Sequence, residues 1–413
     1  MKRENPMSLK RVISTLFIAV ALSMQLSCAS ENGDSDSNDD PNAPSTFGVL
    51  IDDNATENTK TLFANLMKSA KEGVILGQQS AYLETNEYLA TCDMSDVTGE
   101  YPLLTGGDLE NLTNDAYAEE SGNWRYTRVE AWKEWIKECH KRGVFVTFSW
   151  HFREPYNGDS FYASDIDDIY LKAAFSSILE GGDNHTYYKK KLNLLADFFK
   201  ELTDENGELI PIIFRPFHEF NGSWFWWGVP YYATSEQFIQ NWQFTVDYLR
   251  NDCQVHNLIY AFTPGFESEE EYLESYPGDD YVDILGFDAY TTAKEMPTEE
   301  STIITQLGII SDLAEKRGKV AAFTEFGNKL LDDGSTSSAI DNVFTELYLD
   351  ILKATTDKNI AYMMLWYNST NTAFTPTLTL ATEYTEDYKS FVLSDYIFTS
   401  GEIDSPLSSD FEL

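Results

Sequence analysis

Positively charged residues are scarce in this chain of 413 residues. It has 29 Lys and Arg against 68 Asp and Glu, so the formal net charge at pH 7 is -39. A surface with this excess of negative charge repels the phosphate backbone of nucleic acid and anionic lipid headgroups. The composition therefore argues against nucleic acid as a partner and favours a neutral ligand.

Cysteine is scarce as well, and the four cysteines are Cys28, Cys92, Cys139 and Cys253. Their spacing fits neither a zinc site nor a redox CxxC pair, and no cluster of His, Cys and Asp has metal-ligand spacing. No GxGxxG or GxxxxGK[ST] loop follows a predicted strand, and no GxSxG elbow of an esterase is present. We therefore expect no metal and no cofactor. The last three cysteines allow at most one disulfide, with free buried thiols as the alternative.

Aromatic residues, in contrast, are abundant, with 24 Tyr, 26 Phe and 9 Trp. Packing of a hydrophobic core alone requires fewer aromatic rings than this. An excess of flat side chains is typical of proteins whose ligands stack on rings, as sugars do. The alternative is a surface rich in tyrosine that binds no ligand.

The N-terminus has the pattern of a lipoprotein signal peptide over residues 1–27. A basic stretch precedes the apolar run 12–26, which is shorter than the roughly 20 residues of a membrane-spanning helix. The run ends in LSCA, which resembles a bacterial lipobox with Cys28 as the acylated residue. The polar, acidic segment 28–46 predicts a disordered tether and resembles the export signals of Bacteroides-type lipoproteins. We expect a bacterial outer-membrane lipoprotein, at the cell surface or facing the periplasm, anchored through Cys28; the alternative is ordinary signal-peptide cleavage.

From residue 47 to residue 400 one pattern repeats: a short apolar run, a polar loop and an amphipathic stretch. Such alternation predicts parallel βα units, and eight of them predict a single-domain (β/α)₈ TIM barrel. Residues 401–413 are expected to form a C-terminal tail. An open doubly wound sheet is the alternative. The eight predicted strands are Val74–Gln78, Pro102–Gly106, Val144–Trp150, Pro211–Pro216, Leu258–Phe262, Val282–Phe287, Val320–Thr324 and Ala361–Trp366.

Two glutamates follow predicted strands that a barrel brings together. Glu219 comes after the fourth strand and Glu325 after the seventh, and the carboxyl ends of the strands form the active-site face of this fold. Hydrolysis of a glycosidic bond requires two carboxyl groups on either side of that bond. The apolar surroundings of Glu219 predict a raised pKa, as a general acid requires. Glu325 needs hydrogen-bond donors that keep it ionised, and Tyr290 is a candidate. The alternative for each glutamate is a salt bridge at a strand end.

The segment RPFHEFNGSWFWWG together with the downstream TEFG resembles glycoside hydrolase family 26. The segments ILGQQS, TGGDLENL, FSWHF, YPGDDYVDILGFDAYT and MMLWYN follow in the order expected for that family. The resemblance implies that Glu219 is the acid/base and Glu325 the nucleophile of a retaining mechanism, in agreement with the residue-level interpretation. It also implies that Tyr290 is the hydrogen-bond partner of the nucleophile and that Trp366 is the platform beneath the sugar.

Other substrate-binding residues also follow from the resemblance. His151 and His218 resemble polar contacts to the sugar, and Trp224 resembles a wall on the leaving-group side. Arg215 resembles an active-site arginine, although a charge partner inside the barrel is the alternative. Asp288, which follows the sixth predicted strand, is the remaining predicted substrate-binding residue. The sequence departs from the family pattern in FSWHFREP, where an Arg-Glu pair replaces more neutral residues.

The common activity of the family is that of an endo-β-1,4-mannanase, which implies mannan, galactomannan, glucomannan or mannooligosaccharides as partners. The same scaffold serves mannobiose-releasing exo-mannanases, mixed-linkage β-glucanases and β-xylanases. A glycan-binding surface lipoprotein without activity is the non-enzyme alternative. Retention of both glutamates argues against it, because a binding protein needs no acid and nucleophile. We expect a monomer.

Overall fold

The computed structural model describes residues 48–81, 92–117, 124–291, 296–332 and 340–400. The predicted signal peptide, Cys28, the whole predicted tether and the C-terminal tail lie outside the described residues. Within the described ranges, no helix is both long and apolar enough to cross a membrane. Among these residues Cys92, Cys139 and Cys253 are free thiols.

Eight parallel strands close into a barrel. Each strand pairs with the next along the chain, and β8 and β2 both pair with β1, which closes the sheet. The predicted (β/α)₈ barrel is therefore confirmed. The short parallel strand β9 (Ile397–Phe398) adds to β1 from outside. The barrel strands are β1 (Val74–Gln79), β2 (Leu104–Asp108), β3 (Phe145–Trp150), β4 (Ile212–Pro216), β5 (Leu258–Phe262), β6 (Ile284–Thr291), β7 (Val320–Asn328) and β8 (Ile360–Leu365).

Helices lie between successive strands, as the amphipathic stretches predict. Side-chain caps mark the starts of several helices: for example, Thr56 accepts from Thr59 N, and Thr234 forms a capping box with Gln237. The α-helices are α1 (Glu57–Ser69), α2 (Asp93–Thr98), α3 (Glu110–Thr113), α4 (Trp124–Lys141), α5 (Asp168–Ile178), α6 (His185–Lys200), α7 (Ser235–Asp247), α8 (Glu269–Glu274), α9 (Met296–Arg317), α10 (Leu349–Ala354) and α11 (Thr385–Val392). The π-helical turns Tyr248–Asp252 and Phe344–Tyr348 follow α7 and precede α10.

Alternate residues of the strands belong to two different apolar clusters. One cluster fills the barrel and includes Ile213, Ile284 and Ala322, and helix α1 packs against the barrel at this cluster. The other lies between the strands and the surrounding helices and includes Phe214 and Phe323. Because side chains alternate between the two faces of a strand, this division decides which polar residues point into the barrel.

Strands β6 and β7 are longer than their apolar runs predict. They keep pairing from Asp288 opposite Glu325 as far as Thr291 opposite Asn328. The expectation that Asp288, Tyr290 and Glu325 follow the ends of their strands is therefore wrong. These residues belong to the strands, because the ladder continues into the polar segment.

Candidate active site

A β-bulge directs Glu325 into the barrel. Phe287 pairs with Phe323 and Asp288 pairs with Glu325, so Thr324 is an extra residue on β7. Without the bulge, Glu325 would share the helix-facing side of Phe323. An extra residue reverses the alternation and turns the next side chain to the other face. The Thr324 hydroxyl donates to Asp288 Oδ1 over 2.7 Å, which ties the bulge to the neighbouring strand.

Arg215 joins two carboxylates at the centre of the site. It lies two residues after Ile213 on β4 and therefore also points into the barrel. Its Nη1 is 3.2 Å from both carboxylate oxygens of Asp288, and its Nη2 donates to Glu325 Oε1. All three side chains are buried. Because a guanidinium stays cationic in proteins, its hydrogen bonds to both carboxylates are charge-assisted.

Tyr290 donates the second hydrogen bond to Glu325. Its hydroxyl lies 2.6 Å from Glu325 Oε2, so each oxygen of this carboxylate has a donor. Burial and the Glu325 carboxylate raise the pKa of Tyr290, which keeps the hydroxyl protonated as a donor. The structure thus places around Glu325 the donors that an ionised nucleophile requires.

Glu219 lies in a tight turn after β4 with different surroundings. Phe217 and Glu219 both have left-handed backbone angles, with φ of 53° and 51°, which non-glycine residues rarely adopt. The Glu219 backbone N–H donates to Thr263 O at 3.0 Å, and Trp224 Nε1 donates to Glu219 Oε2 at 2.8 Å. Burial and the Glu325 charge raise the pKa of Glu219 to about 7. A carboxyl group with this pKa is protonated near neutral pH and can act as a general acid.

The two glutamates are close enough for a retaining mechanism. Carboxylate oxygens of Glu219, Asp288 and Glu325 all lie within 4.8 Å of one another. Retaining glycosidases have carboxyl groups about 5–5.5 Å apart, whereas inverting enzymes need about 6.5–9.5 Å to admit a water. A group of three carboxylates could also hold a cation. Here the Arg215 guanidinium binds two of the three.

Two histidines lie beside the glutamates. The His151 and His218 rings meet edge to face, with their centroids 4.6 Å apart. His151 Nδ1 pairs with the carboxylate of Asp108 at the end of β2, which raises the pKa of His151 although burial opposes it. Burial, His151 and Arg215 lower the pKa of His218 well below its ordinary value. The pKa values of the two imidazoles are therefore shifted in opposite directions.

Exposed rings surround the glutamates. Trp224 is 46% exposed, and its indole carries the hydrogen bond to Glu219 described above. Trp366, directly after β8, is partly buried, with its ring 6.4 Å from that of Tyr290 and 5.3 Å from that of Tyr367, which is 40% exposed. Rings at these positions can stack on sugar faces.

The neighbouring tryptophans have a different role. Trp226 and Trp227 are fully buried. Trp226 Nε1 donates to Phe152 O at 2.6 Å, and Trp227 Nε1 donates to His218 O at 2.9 Å. Trp226 therefore holds the backbone next to His151, and Trp227 holds the backbone of His218.

Arg153 and Glu154, the charged pair that departs from the family pattern, lie in the loop after β3 at the rim of the site. Arg153 Nε donates to Glu110 Oε1 at 2.7 Å. Glu154 is completely buried and accepts from the backbone N–H groups of Tyr156 at 2.7 Å and Asn157 at 2.8 Å. These charges organise the loop after β3, which explains why charged residues replace neutral ones at this point.

Sequence reasoning assigned no role to Asp108 or Thr324. Asp108 comes just after the second predicted strand, so its position was a usable signal, but its partner His151 is 43 residues away. Thr324 carried no signal, because a bulge has no sequence pattern as distinct as that of a turn.

Comparisons with known proteins agree with this geometry. A family model described as Glycosyl hydrolase family 26 matches residues 51–370. GH26C from Muricauda sp. MAR_2010_75 has a solved structure that is 39% identical, with a TM-score of 0.79, covering 85% of this chain and 93% of that chain. A GH26 beta-mannanase from Bacteroides ovatus is 28% identical, with a TM-score of 0.73, covering 87% of this chain and 98% of that chain.

A curated relative, the mannan endo-1,4-beta-mannosidase of Bifidobacterium adolescentis, is 35% identical over 331 residues. The alignment covers 77% of this chain and 32% of that protein, so the chain matches only about a third of that relative's length. The family model, in contrast, matches well over half of this chain. The predicted family is therefore confirmed, and the chain belongs to glycosyl hydrolase family 26.

Proposed function

We propose that the protein is a retaining endo-β-1,4-mannanase. The main support for this proposal is the pair Glu219 and Glu325, whose carboxylate oxygens lie within 4.8 Å of each other. The two carboxyl groups have different electrostatic surroundings. Glu325 receives hydrogen bonds from Arg215 and Tyr290, whereas burial and the Glu325 charge raise the pKa of Glu219. A carboxyl group with a raised pKa beside a carboxylate that accepts two hydrogen bonds can supply an acid and a nucleophile.

The geometry supports two displacement steps. In the first, Glu325 attacks the anomeric carbon while Glu219 gives its proton to the departing glycosidic oxygen, so that a glycosyl ester forms on Glu325. In the second, Glu219, now ionised, removes a proton from water, which attacks the same carbon and releases Glu325. Two inversions at one carbon retain its configuration. Trp224 donates to Glu219 and holds the acid in place.

The names of the relatives support mannan as the substrate. The proteins from Bifidobacterium adolescentis and Bacteroides ovatus are both named as mannanases. The net charge of -39 also suits a neutral polysaccharide. The family resemblance supports roles for His151, His218 and Trp366 as contacts to the sugar next to the cleaved bond, and for Trp224 as a wall on the side of the leaving group.

We expect the purified protein to hydrolyse β-1,4-mannan, galactomannan or glucomannan at internal bonds, with mixed-linkage β-glucan and xylan as poor substrates. Mannose differs from glucose in its axial C2 hydroxyl, and contacts to the 2-hydroxyl strengthen in the transition state. A hundredfold preference corresponds to about 2.7 kcal/mol of differential transition-state binding. Initial rates of reducing-end release at equal mass of each polysaccharide measure this preference.

The products separate the remaining alternatives. A mixture of short mannooligosaccharides at early times supports internal cleavage, whereas mannobiose as the sole early product indicates attack from chain ends. Faster release from glucan or xylan contradicts mannan as the substrate but leaves the roles of the two glutamates intact. Binding to mannan without hydrolysis indicates a glycan-binding protein.

We further propose that the protein is a lipoprotein anchored through Cys28. The apolar run 12–26 and the lipobox-like LSCA support this, and the acidic segment 28–46 suits a tether. Each buried methylene of an acyl chain contributes about 0.8 kcal/mol, so two or more chains make a stable anchor. Cys28→Ala expressed in a Bacteroides-type host should move the protein from the membrane fraction to the soluble fraction. If the variant and the unchanged protein fractionate alike, the anchor does not form at Cys28; Cys92→Ala is the matched control.

A further inference from the structure

The carboxylate of Asp108 is fully engaged at the end of β2. Its Oδ1 accepts the backbone N–H of Glu110 at 2.7 Å and that of His151 at 3.3 Å. Its Oδ2 pairs with His151 Nδ1 and accepts from Ser149 Oγ at 3.1 Å. Two backbone donors therefore determine the orientation of the carboxylate, and the second oxygen faces the imidazole.

Aromatic rings hold His151 in place. The Phe161 and Phe225 ring centroids lie 4.5 Å and 5.1 Å from that of His151, whose side chain is 12% exposed. In the described part of the chain, Asp108 takes Nδ1, and no protein group takes Nε2. A histidine with one nitrogen held by a carboxylate presents its other nitrogen in a defined protonation state.

We propose that Asp108 is a positioning residue that keeps the His151 imidazole doubly protonated, so that its charge tunes the acid/base Glu219 and its Nε2–H faces the substrate. This inference rests on the proposed hydrolase function. The charged and titratable groups that face His151 are Asp108 on β2, His218 and Glu219 after β4, and Glu325 on β7. The His151 charge lowers the pKa of Glu219, against the larger effects of burial and Glu325 that raise it.

Asp108→Asn tests the charge of His151 without removing its imidazole ring. The asparagine oxygen must take the place of Oδ1, because two backbone N–H groups point there. Its NH₂ group then faces His151 Nδ1, which becomes an acceptor, so the single ring proton moves to Nε2. The variant keeps the Nε2–H donor and loses the positive charge. The variant also loses the Asp108 charge, but the His151 charge is the one of the two that lowers the pKa of Glu219, so we expect that pKa to rise.

The first measurement is the pH profile of kcat/KM on a soluble mannooligosaccharide. The alkaline limb reports the ionisation of the general acid in the free enzyme. In Asp108→Asn it should move to higher pH by roughly half to one unit, the size expected for the loss of one nearby charge. Asp165→Asn, which removes an exposed carboxylate from the same rim, is the matched control and should leave the limb in place.

The second measurement observes His151 directly and does not depend on the substrate. The chain has five histidines, so ring ¹⁵N resonances can be assigned with His151→Gln as the reference. His151 should keep both ring protons to a higher pH in the unchanged protein than in Asp108→Asn, where the remaining ring proton should lie on Nε2. A His151 that titrates alike in both proteins overturns the proposal, as does an unshifted alkaline limb.

Further variants keep the test decisive. If Asp108→Asn does not fold, His151→Gln must shift the limb in the same direction, and no shift overturns the proposal. The double variant Asp108→Asn/His151→Gln should shift the alkaline limb no further than His151→Gln alone, because without His151 there is no imidazolium for Asp108 to hold. If no glycan is hydrolysed, the proposed function fails by itself. The ¹³C carboxyl resonance of Glu219, identified with Glu219→Gln, then replaces the pH profile.

Discussion

Glu325→Ala is expected to abolish hydrolysis of every substrate, with kcat at least about 10⁴-fold below that of the unchanged protein. Without the carboxylate no glycosyl ester can form, and neither Asp288 nor Glu219 can take its place. Asp288 is held by Arg215 and Thr324, and Glu219 is needed as the acid. Initial rates on mannan and on an aryl β-mannoside measure the loss.

The fold should survive this change, because Arg215 keeps Asp288 as a counter-ion. Circular dichroism and thermal melting test this point, and Glu315→Ala on the exposed face of α9 is the matched control. Residual activity above about 1% on the aryl substrate contradicts Glu325 as the nucleophile. Proton NMR of the first product gives an independent check, since an inverted anomeric configuration excludes a glycosyl ester.

Glu219→Ala is expected to slow the cleavage of mannan by about 10²–10⁴-fold while sparing bond cleavage in aryl mannosides with good leaving groups. Such leaving groups depart without a proton, so Glu325 is still glycosylated, and the intermediate then persists because no base activates water. Azide needs no base and can enter the space left by the side chain. Added azide should therefore restore turnover and yield a β-mannosyl azide.

The pH profile provides a second test of the Glu219 assignment. Burial and Glu325 raise the pKa of Glu219 to about 7, so the activity of the unchanged protein should fall as the pH rises through 7 and the acid loses its proton. On the aryl substrate this limb should be absent in Glu219→Ala. Glu110→Ala at the rim is a control that keeps Glu219. An α-configured azide, or no rescue, would refute the assignment.

The repeating pattern of apolar runs and amphipathic stretches was sufficient to predict the barrel. Closing eight βα units is the way such a pattern buries both faces of a parallel sheet. The positions of the glutamates relative to these runs then predicted one catalytic face. Strand ends were less predictable, because β6 and β7 continue into polar residues such as Asp288 and Tyr290. Polar residues inside a barrel mouth interrupt the hydrophobic pattern of the sequence but not the backbone pairing between neighbouring strands.

The sequence by itself determined the fold and the family and predicted the two catalytic glutamates, since each depends on local patterns or on a motif. The tertiary structure decided how each group is tuned. The bulge at Thr324 turns Glu325 inward, Arg215 joins it to Asp288, and Asp108 reaches His151 from another strand. These features depend on distances between residues far apart in the chain. Electrostatic interactions act through those distances, and no local pattern contains them.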